Sequence, residues 1–258
     1  LVKIQVNNVS FKYGNNLQAL DNVSMATREG ELVCLVGPNG SGKSTLLKCL
    51  LKIFKPQKGK ITLENEDIGK ISIPNLAKHI GYVPQSMQHV FPVTVFEAIL
   101  TGRIPHLGWA PKDSDIKKVE EIMKLFDVEA WAWRYLSALS GGERQKVLIA
   151  MTLAKDPPIL LLDEPTSNLD LRHQLEVMDI LKRLVKEQKL TVVMAIHDLN
   201  LALKYGDRVV MMKKGRVVAE GKPLEALTKE TIQSVFGVDV EVAGRTGEPY
   251  IRPICPSV

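Results

Sequence analysis

Glu31-Leu32-Val33-Cys34-Leu35-Val36-Gly37-Pro38-Asn39-Gly40-Ser41-Gly42-Lys43-Ser44-Thr45 is the stretch that decides the fold. Glu31 to Val36 reads as a short apolar strand, and Lys43 to Phe54 as a helix. Between them, Gly37, four residues, then Gly42-Lys43-Ser44 is the phosphate-loop spacing in its proper strand–turn–helix setting. Each residue type has its own reason. Gly37, Gly40 and Gly42 let the backbone of Gly37-Pro38-Asn39-Gly40-Ser41-Gly42 curl so that successive N–H groups point inward. The helix beginning near Lys43 adds its positive end. Lys43 supplies a full charge for β- and γ-phosphates. Ser44 offers a hydroxyl to Mg²⁺, and Thr45 closes the motif.

A phosphate loop calls for an acidic strand end. Ile159-Leu160-Leu161-Leu162 is a continuous apolar run of the central parallel type, and it ends in Asp163-Glu164. Asp163 is placed to hold hydrated Mg²⁺, and Glu164 to polarise the water that attacks the γ-phosphate. Thr191 to Ile196 reads as a second central strand. Arg208–Met212 and Val217–Ala219 read as a hairpin around Lys213-Lys214-Gly215. At the start, Val2, Ile4 and Val6 share one strand face, with Val9 and Phe11 following an Asn-Asn turn. Ser114 is a candidate N-cap for a helix whose face carries Ile116, Val119, Ile122, Met123 and Phe126. Arg172 to Gln188 repeats the helical pattern through Leu175, Met178, Leu181, Leu184 and Val185. Thr228 to Phe236 is a further helix, with a short strand after it. The prediction is an α/β chain: a mostly parallel sheet with helices on its faces, β-rich ends, and a helical insert at about 87–154.

Composition agrees with a globular protein. The 258 residues are 45% hydrophobic and 24% charged, which excludes a disordered or fibrous chain. Ile80 to Phe96 lacks Asp, Glu, Lys and Arg, but Pro84, Pro92 and His89 break it as a membrane span. The opening Leu-Val-Lys-Ile-Gln lacks the apolar core of a signal peptide. Cys34, Cys49 and Cys255 are too scattered for a disulfide framework or zinc site, so a reducing compartment is expected, with Cys34 and Cys49 packing as small hydrophobes. The net charge of +5 allows contact with nucleic acid or anionic lipid without demanding it, and its spread along the chain predicts a solvated surface; no nucleic-acid partner is expected.

Leu139-Ser140-Gly141-Gly142-Glu143-Arg144-Gln145 resembles the signature motif of ATP-binding cassette (ABC) ATPases. With the phosphate loop and Asp163-Glu164, the resemblance spans essentially the whole chain. It implies one ABC ATPase domain over 1–258: a P-loop NTPase core, an N-terminal antiparallel β subdomain, a helical subdomain insert, and a short C-terminal extension from about 223. It also implies roles by position. Tyr13 resembles the aromatic that stacks on adenine. Gln85 resembles the loop glutamine that reaches the metal and attacking water. Asp170 matches the loop at the dimer interface, where Asn168 replaces the more common Ala. His197 resembles the switch histidine at the γ-phosphate. The family pairs two cassettes, each ATP lying between one phosphate loop and the other copy's Ser140-Gly141-Gly142. The implied cofactors are ATP and Mg²⁺.

Three branches of that family compete. A DNA-repair ATPase needs a long coiled-coil insert, but fewer than a hundred residues separate Thr45 from Leu139, without sustained heptads. A translation factor needs two cassettes in one chain. An importer subunit with its permease on separate chains fits best, peripheral on the cytoplasmic face of the membrane and served indirectly by a substrate-binding protein. Thr101-Gly102-Arg103-Ile104-Pro105-His106, Leu169–Gln174, His197–Ala202 and Val235–Val238 look like the ATPases of iron-siderophore, haem and cobalamin importers, with zinc and manganese importers as the alternative.

Overall fold

In the computed structural model, the first strand, β1 (Val2–Lys12), runs unbroken through the asparagines where the sequence predicts a turn. The structure describes residues 1–14, 16–85, 92–106, 110–167, 169–243 and 249–256. Asn8 takes φ 49°, and the antiparallel register with β2 (Gln18–Arg28) shifts between Val6 and Val9. A bulge therefore absorbs the extra residue, at an Asn that tolerates the left-handed region. β3 (Leu32–Val36) is wholly buried. α1 (Lys43–Leu50) stops short of Phe54, because Lys52 turns to φ 58° and reverses the chain. That reversal stacks Phe54 on Phe11, ring centroids 5.0 Å apart. β4 (Lys58–Leu63) pairs antiparallel with β1 and with the two-residue β5 (Glu66–Asp67). The outcome is the antiparallel N-terminal sheet, in the order β2-β1-β4-β5.

Two compact units divide the chain: Leu1–Ile73 with Thr191–Val258, and Pro74–Leu190. The second begins within α2 (Ile73–His79) and β6 (Ile80–Val83). Its helices are α3 (Val95–Thr101), α4 (Asp113–Leu125), α5 (Gly141–Ala154) and α6 (Leu171–Gln188), and β7 (Ile159–Asp163) runs parallel to β6. Met87, at the expected start of the helical insert, and His89 and Asn168 lie outside the described residues.

α4 corrects one expectation. Its N-cap is Lys112 rather than Ser114, and the Asp115 carboxylate accepts the Lys112 N–H at 3.1 Å. A carboxylate on the third helical residue thus does the capping that a serine was expected to do, and Arg103 Nε holds it at 3.0 Å. Val119, Ile122, Met123 and Phe126 are buried, while Ile116 is 37% exposed at the edge of that face. Along α6, Met178, Leu181, Leu184 and Val185 are buried and Leu175 is half-buried. The Thr101–His106 stretch also acquires a physical reading. A Cβ on Gly102 would lie 2.0 Å from the Met151 carbonyl oxygen, so only glycine lets α3 approach α5 this closely. Arg103 Nη1 then donates to the Ala154 carbonyl at 2.8 Å, and His106 Nε2 lies 2.8 Å from the Lys155 carbonyl. Two side chains therefore meet the carbonyls at the C-terminal end of α5.

Beyond residue 190 the chain returns to the first unit with β8 (Thr191–Ala195), α7 (Leu199–Tyr205), β9 (Arg208–Lys213) and β10 (Arg216–Gly221). β3 runs parallel to both β8 and β9, and β10 is antiparallel to β9. The β9–β10 turn places Lys214 at φ 49° and Gly215 at φ 78°, the paired positive values of a two-residue hairpin. β3 and β8 bury every residue, each large side chain contributing roughly 1.5–3 kcal/mol. Cys34 and Cys49 belong to this core, and burial pushes the Cys49 thiol up to about 12. α8 (Pro223–Ala226) leads to α9 (Lys229–Phe236), capped by Thr228 and closed by Gly237 at φ 68°. A closing hairpin follows, β11 (Val238–Ala243) against β12 (Tyr250–Pro256). Its second strand carries no sequence signal beyond the short strand expected after Phe236. Among the described residues, no helix is long and apolar enough to cross a membrane.

Candidate active site

In the first unit, Leu35 of β3 pairs with Ala195 of β8, and Ile196 N–H donates to the Leu35 carbonyl at 3.0 Å. Gly37 and His197 therefore leave neighbouring parallel strands at the same level, at their carboxyl ends, where open α/β sheets bind ligands. His197 is exposed. The loop between β3 and α1 is tightly seated. A Cβ on Gly37 would fall 2.2 Å from the Met212 carbonyl oxygen, and one on Gly42 (φ 108°) would fall 2.6 Å from that of Ala19. Gly40 turns at φ 75°, with Asn39 and Gly40 exposed at the rim beside half-buried Pro38. From the β9–β10 turn, Gly215 N–H donates to the Ser41 carbonyl at 3.0 Å and braces the loop from behind.

Two buried polar groups mark the loop interior. Lys43 is 4% exposed, with Nζ 2.7 Å from the Gly37 carbonyl and 3.3 Å from that of Pro38. Ser41 Oγ is buried without a hydrogen-bond partner. A buried ammonium and an orphaned hydroxyl inside one tight turn form a cradle suited to an anion. Ser44 stands half-buried at the first turn of α1. Tyr13 follows β1, its hydroxyl 3.0 Å from Thr45 Oγ1 and its ring edge-on to Phe11 and Phe54, with centroids 5.1 and 5.5 Å away. The first unit thus gathers Tyr13, Gly37–Thr45 and His197.

The second unit repeats the construction with side chains. Val83 of β6 pairs with Leu162 of β7, and two residues beyond each lie Gln85 and Glu164. Gln85 Nε2 donates to Glu164 Oε2 at 2.6 Å. Glu164 holds φ 52°, a strained value for a non-glycine residue and one frequent at functional positions. The Ser167 hydroxyl donates to the Glu164 carbonyl at 3.0 Å. Asp163 is 4% exposed and hydrogen-bonds the Tyr82 hydroxyl; burial, then the Asp163 charge, pushes that phenol up to about 12. Sequence reasoning passed over Tyr82. Its only signal was its place on the strand paired with the Asp163 strand.

Ser140 and Asp170 turn out to be helix N-caps. Ser140 Oγ accepts the Glu143 N–H at 3.3 Å, and Glu143 returns a carboxylate to the Ser140 N–H at 2.8 Å. That backbone bond holds the Glu143 carboxyl below its usual range. Gly141 has open space where a Cβ would stand, and Gly142 is half-buried behind it. Asp170 accepts the His173 N–H at 2.9 Å, which holds its carboxyl low, and its other oxygen lies 3.0 Å from His173 Nδ1. His173 is a second residue the sequence reading missed, three positions beyond an aspartate it had singled out.

The ABC transporter family profile matches residues 20–167. An uncharacterised ABC transporter ATP-binding protein of Methanocaldococcus jannaschii is 46% identical over 254 residues, 98% of this chain and 99% of that protein. The hemin import ATP-binding protein of Escherichia coli O157:H7 is 42% identical over 228 residues, 86% of this chain and 88% of that protein. Among solved structures, an inward-facing metal-chelate type ABC transporter matches with a TM-score of 0.84 and 29% identity, over 99% of this chain and 98% of that one. A dimeric ATP-binding cassette bound to ADP and phosphate after hydrolysis matches with a TM-score of 0.76 and 34% identity, over 85% and 98% of the two chains. Its sequence motifs, its mixed α/β fold and these matches make this chain a member of the ABC transporter family, as an ATP-binding, ATP-hydrolysing subunit.

Proposed function

We propose that the chain is a single ABC ATPase domain, residues 1–258, that works as a homodimer to power a metal-chelate importer for an iron-siderophore, haem or cobalamin. The Gly37–Thr45 cradle carries this reading, because it brings a buried ammonium, Lys43, and a buried hydroxyl without a partner, Ser41 Oγ, into one turn. Backbone N–H groups of the turn from Asn39 to Lys43 hold the β- and γ-phosphates, with Lys43 as counter-charge. Tyr13 offers its ring to adenine. The Ser44 hydroxyl is an oxygen donor of the kind Mg²⁺ takes, as are the Asp163 carboxylate and the Gln85 amide oxygen in the second unit. That ion, when bound, neutralises charge on the phosphate oxygens.

Glu164 accepts a proton from the attacking water, and Gln85 keeps its carboxylate aimed through the 2.6 Å bond. His197 donates to the γ-phosphate. Ser140, Gly141, Gly142 and Asp170 serve the site of the second copy, the start of α5 presenting donors and a positive helix end. The paired cassettes sit on the cytoplasmic face of the membrane. There the segment from Gln85 to Pro111 grips a permease made of separate chains, which a substrate-binding protein feeds. Driving closure to near completion requires ATP to favour the closed pair by roughly 5 kcal/mol.

Glu164→Gln tests the assignment, because the amide oxygen still accepts from Gln85 while the base is lost. Phosphate release is expected to fall by about 10²–10⁴-fold. Light scattering is expected to show a dimer that persists in ATP. Hydrolysis at the wild-type rate refutes the role of Glu164. A monomer at saturating ATP refutes the shared site. For the cargo class, ATPase stimulation of the reconstituted transporter by a binding protein loaded with metal chelate is the expected result, and stimulation by free zinc alone contradicts it.

A further inference from the structure

His197 stands outside β8, one residue past the last backbone bond to β3 and two before α7. The backbone of so short a connection is held by the elements on either side of it. On one side is the buried ladder of β3 and β8. On the other is α7, whose seven residues are too few for a stable helix alone, so its place depends on what it packs and bonds against. Asp198 caps it, accepting the N–H groups of Asn200 and Leu201 at 2.7 and 3.0 Å. Burial of Leu201, Ala202, Leu203 and Tyr205 seats the helix body, and Asn200 ties its first turn to the closing hairpin. Its Nδ2 donates to the Ile251 carbonyl at 3.1 Å, and its Oδ1 accepts the Ile251 N–H at 2.7 Å. The side-chain amide thus behaves as one more peptide group on the edge of β12, and Ile251 is 5% exposed within the closing hairpin.

We infer that Asn200 is a positioning residue for His197, and that the β11–β12 hairpin is the anchor it works against. The inference rests on the role given to His197 in phosphate release. It gives the C-terminal stretch, which bears none of the nucleotide motifs, a part in turnover. Only a carboxamide offers a donor and an acceptor side by side in the geometry of a peptide bond. Aspartate keeps the acceptor and loses the donor, and alanine loses both.

The test uses the whole purified protein with MgATP, well below the melting temperature of every variant. It follows phosphate release, ATP affinity, and the ring signals of the five histidines by NMR, with His197 assigned from His197→Ala. Asn200→Ala is expected to lower kcat about tenfold, leave the ATP Kd within twofold, and shift and broaden the His197 signal alone. Asn200→Asp is expected to fall between it and wild type. An unchanged kcat overturns the inference. So does a lower kcat with the His197 signal unmoved, because Asn200 would then act on general stability. If His197→Ala hydrolyses ATP at the wild-type rate, the role given to His197 fails first, and the inference falls with it.

Discussion

The Gly37–His197 pair and the Gln85–Glu164 pair are built to one plan and finished by opposite means. In each, two parallel strands end in register, and the reacting residues lie two positions past the last matched pair, Leu35 with Ala195 and Val83 with Leu162. The first pair is shaped by backbone. Positive-φ glycines are pressed against Met212 and Ala19 where no Cβ would fit, and they set the turn around Lys43 Nζ and Ser41 Oγ. The second is shaped by side chains, one amide gripping one carboxylate whose own backbone is strained. The difference follows the chemistry. A phosphate chain needs many weak donors fixed in place. Water activation needs one base, aimed and still able to take a proton.

The contrast predicts where each site breaks. Gly37→Ala forces a Cβ to within 2.2 Å of a backbone oxygen and is expected to cost about 3 kcal/mol or more, with ATP binding lost alongside. Denaturant melts and nucleotide titration check it, and a folded Ala variant that binds ATP normally breaks the backbone half of the comparison. Gln85→Ala is milder. It leaves the fold and the ATP Kd nearly unchanged and lowers kcat by about 10- to 100-fold, or ~1.4–2.7 kcal/mol of barrier. Steady-state phosphate release reads this, and a change confined to KM contradicts it. Tyr13→Phe has the smallest effect. Losing the bond to Thr45 Oγ1 costs about 0.5–1.5 kcal/mol of stability, while the retained ring keeps ATP affinity within twofold. A large loss of affinity in the Phe variant transfers the role of Tyr13 from its ring to its hydroxyl.

The parts of this design visible in the sequence are those in which spacing alone carries the physics. Gly37 to Thr45 and Ile159 to Glu164 could be placed because strand, turn and charge follow one another within a dozen residues. The misread parts depend on partners distant in sequence. The two asparagines in β1 look like a turn until β4 and Gly59 close on the bulge. Ser114 looks like the cap until Asp115, fixed by Arg103, takes that place. Tyr82 and His173 gain meaning only beside Asp163 and Asp170. β12 shows itself through Asn200, fifty-one positions before Ile251.

All of these roles presuppose that the Gly37–Thr45 loop seats the phosphates of ATP. Isothermal titration of Lys43→Ala with MgATP tests that most directly. A loss of affinity of about a hundredfold or more is expected, with the fold intact by circular dichroism and phosphate release abolished. Affinity and turnover equal to those of the wild-type chain would contradict it.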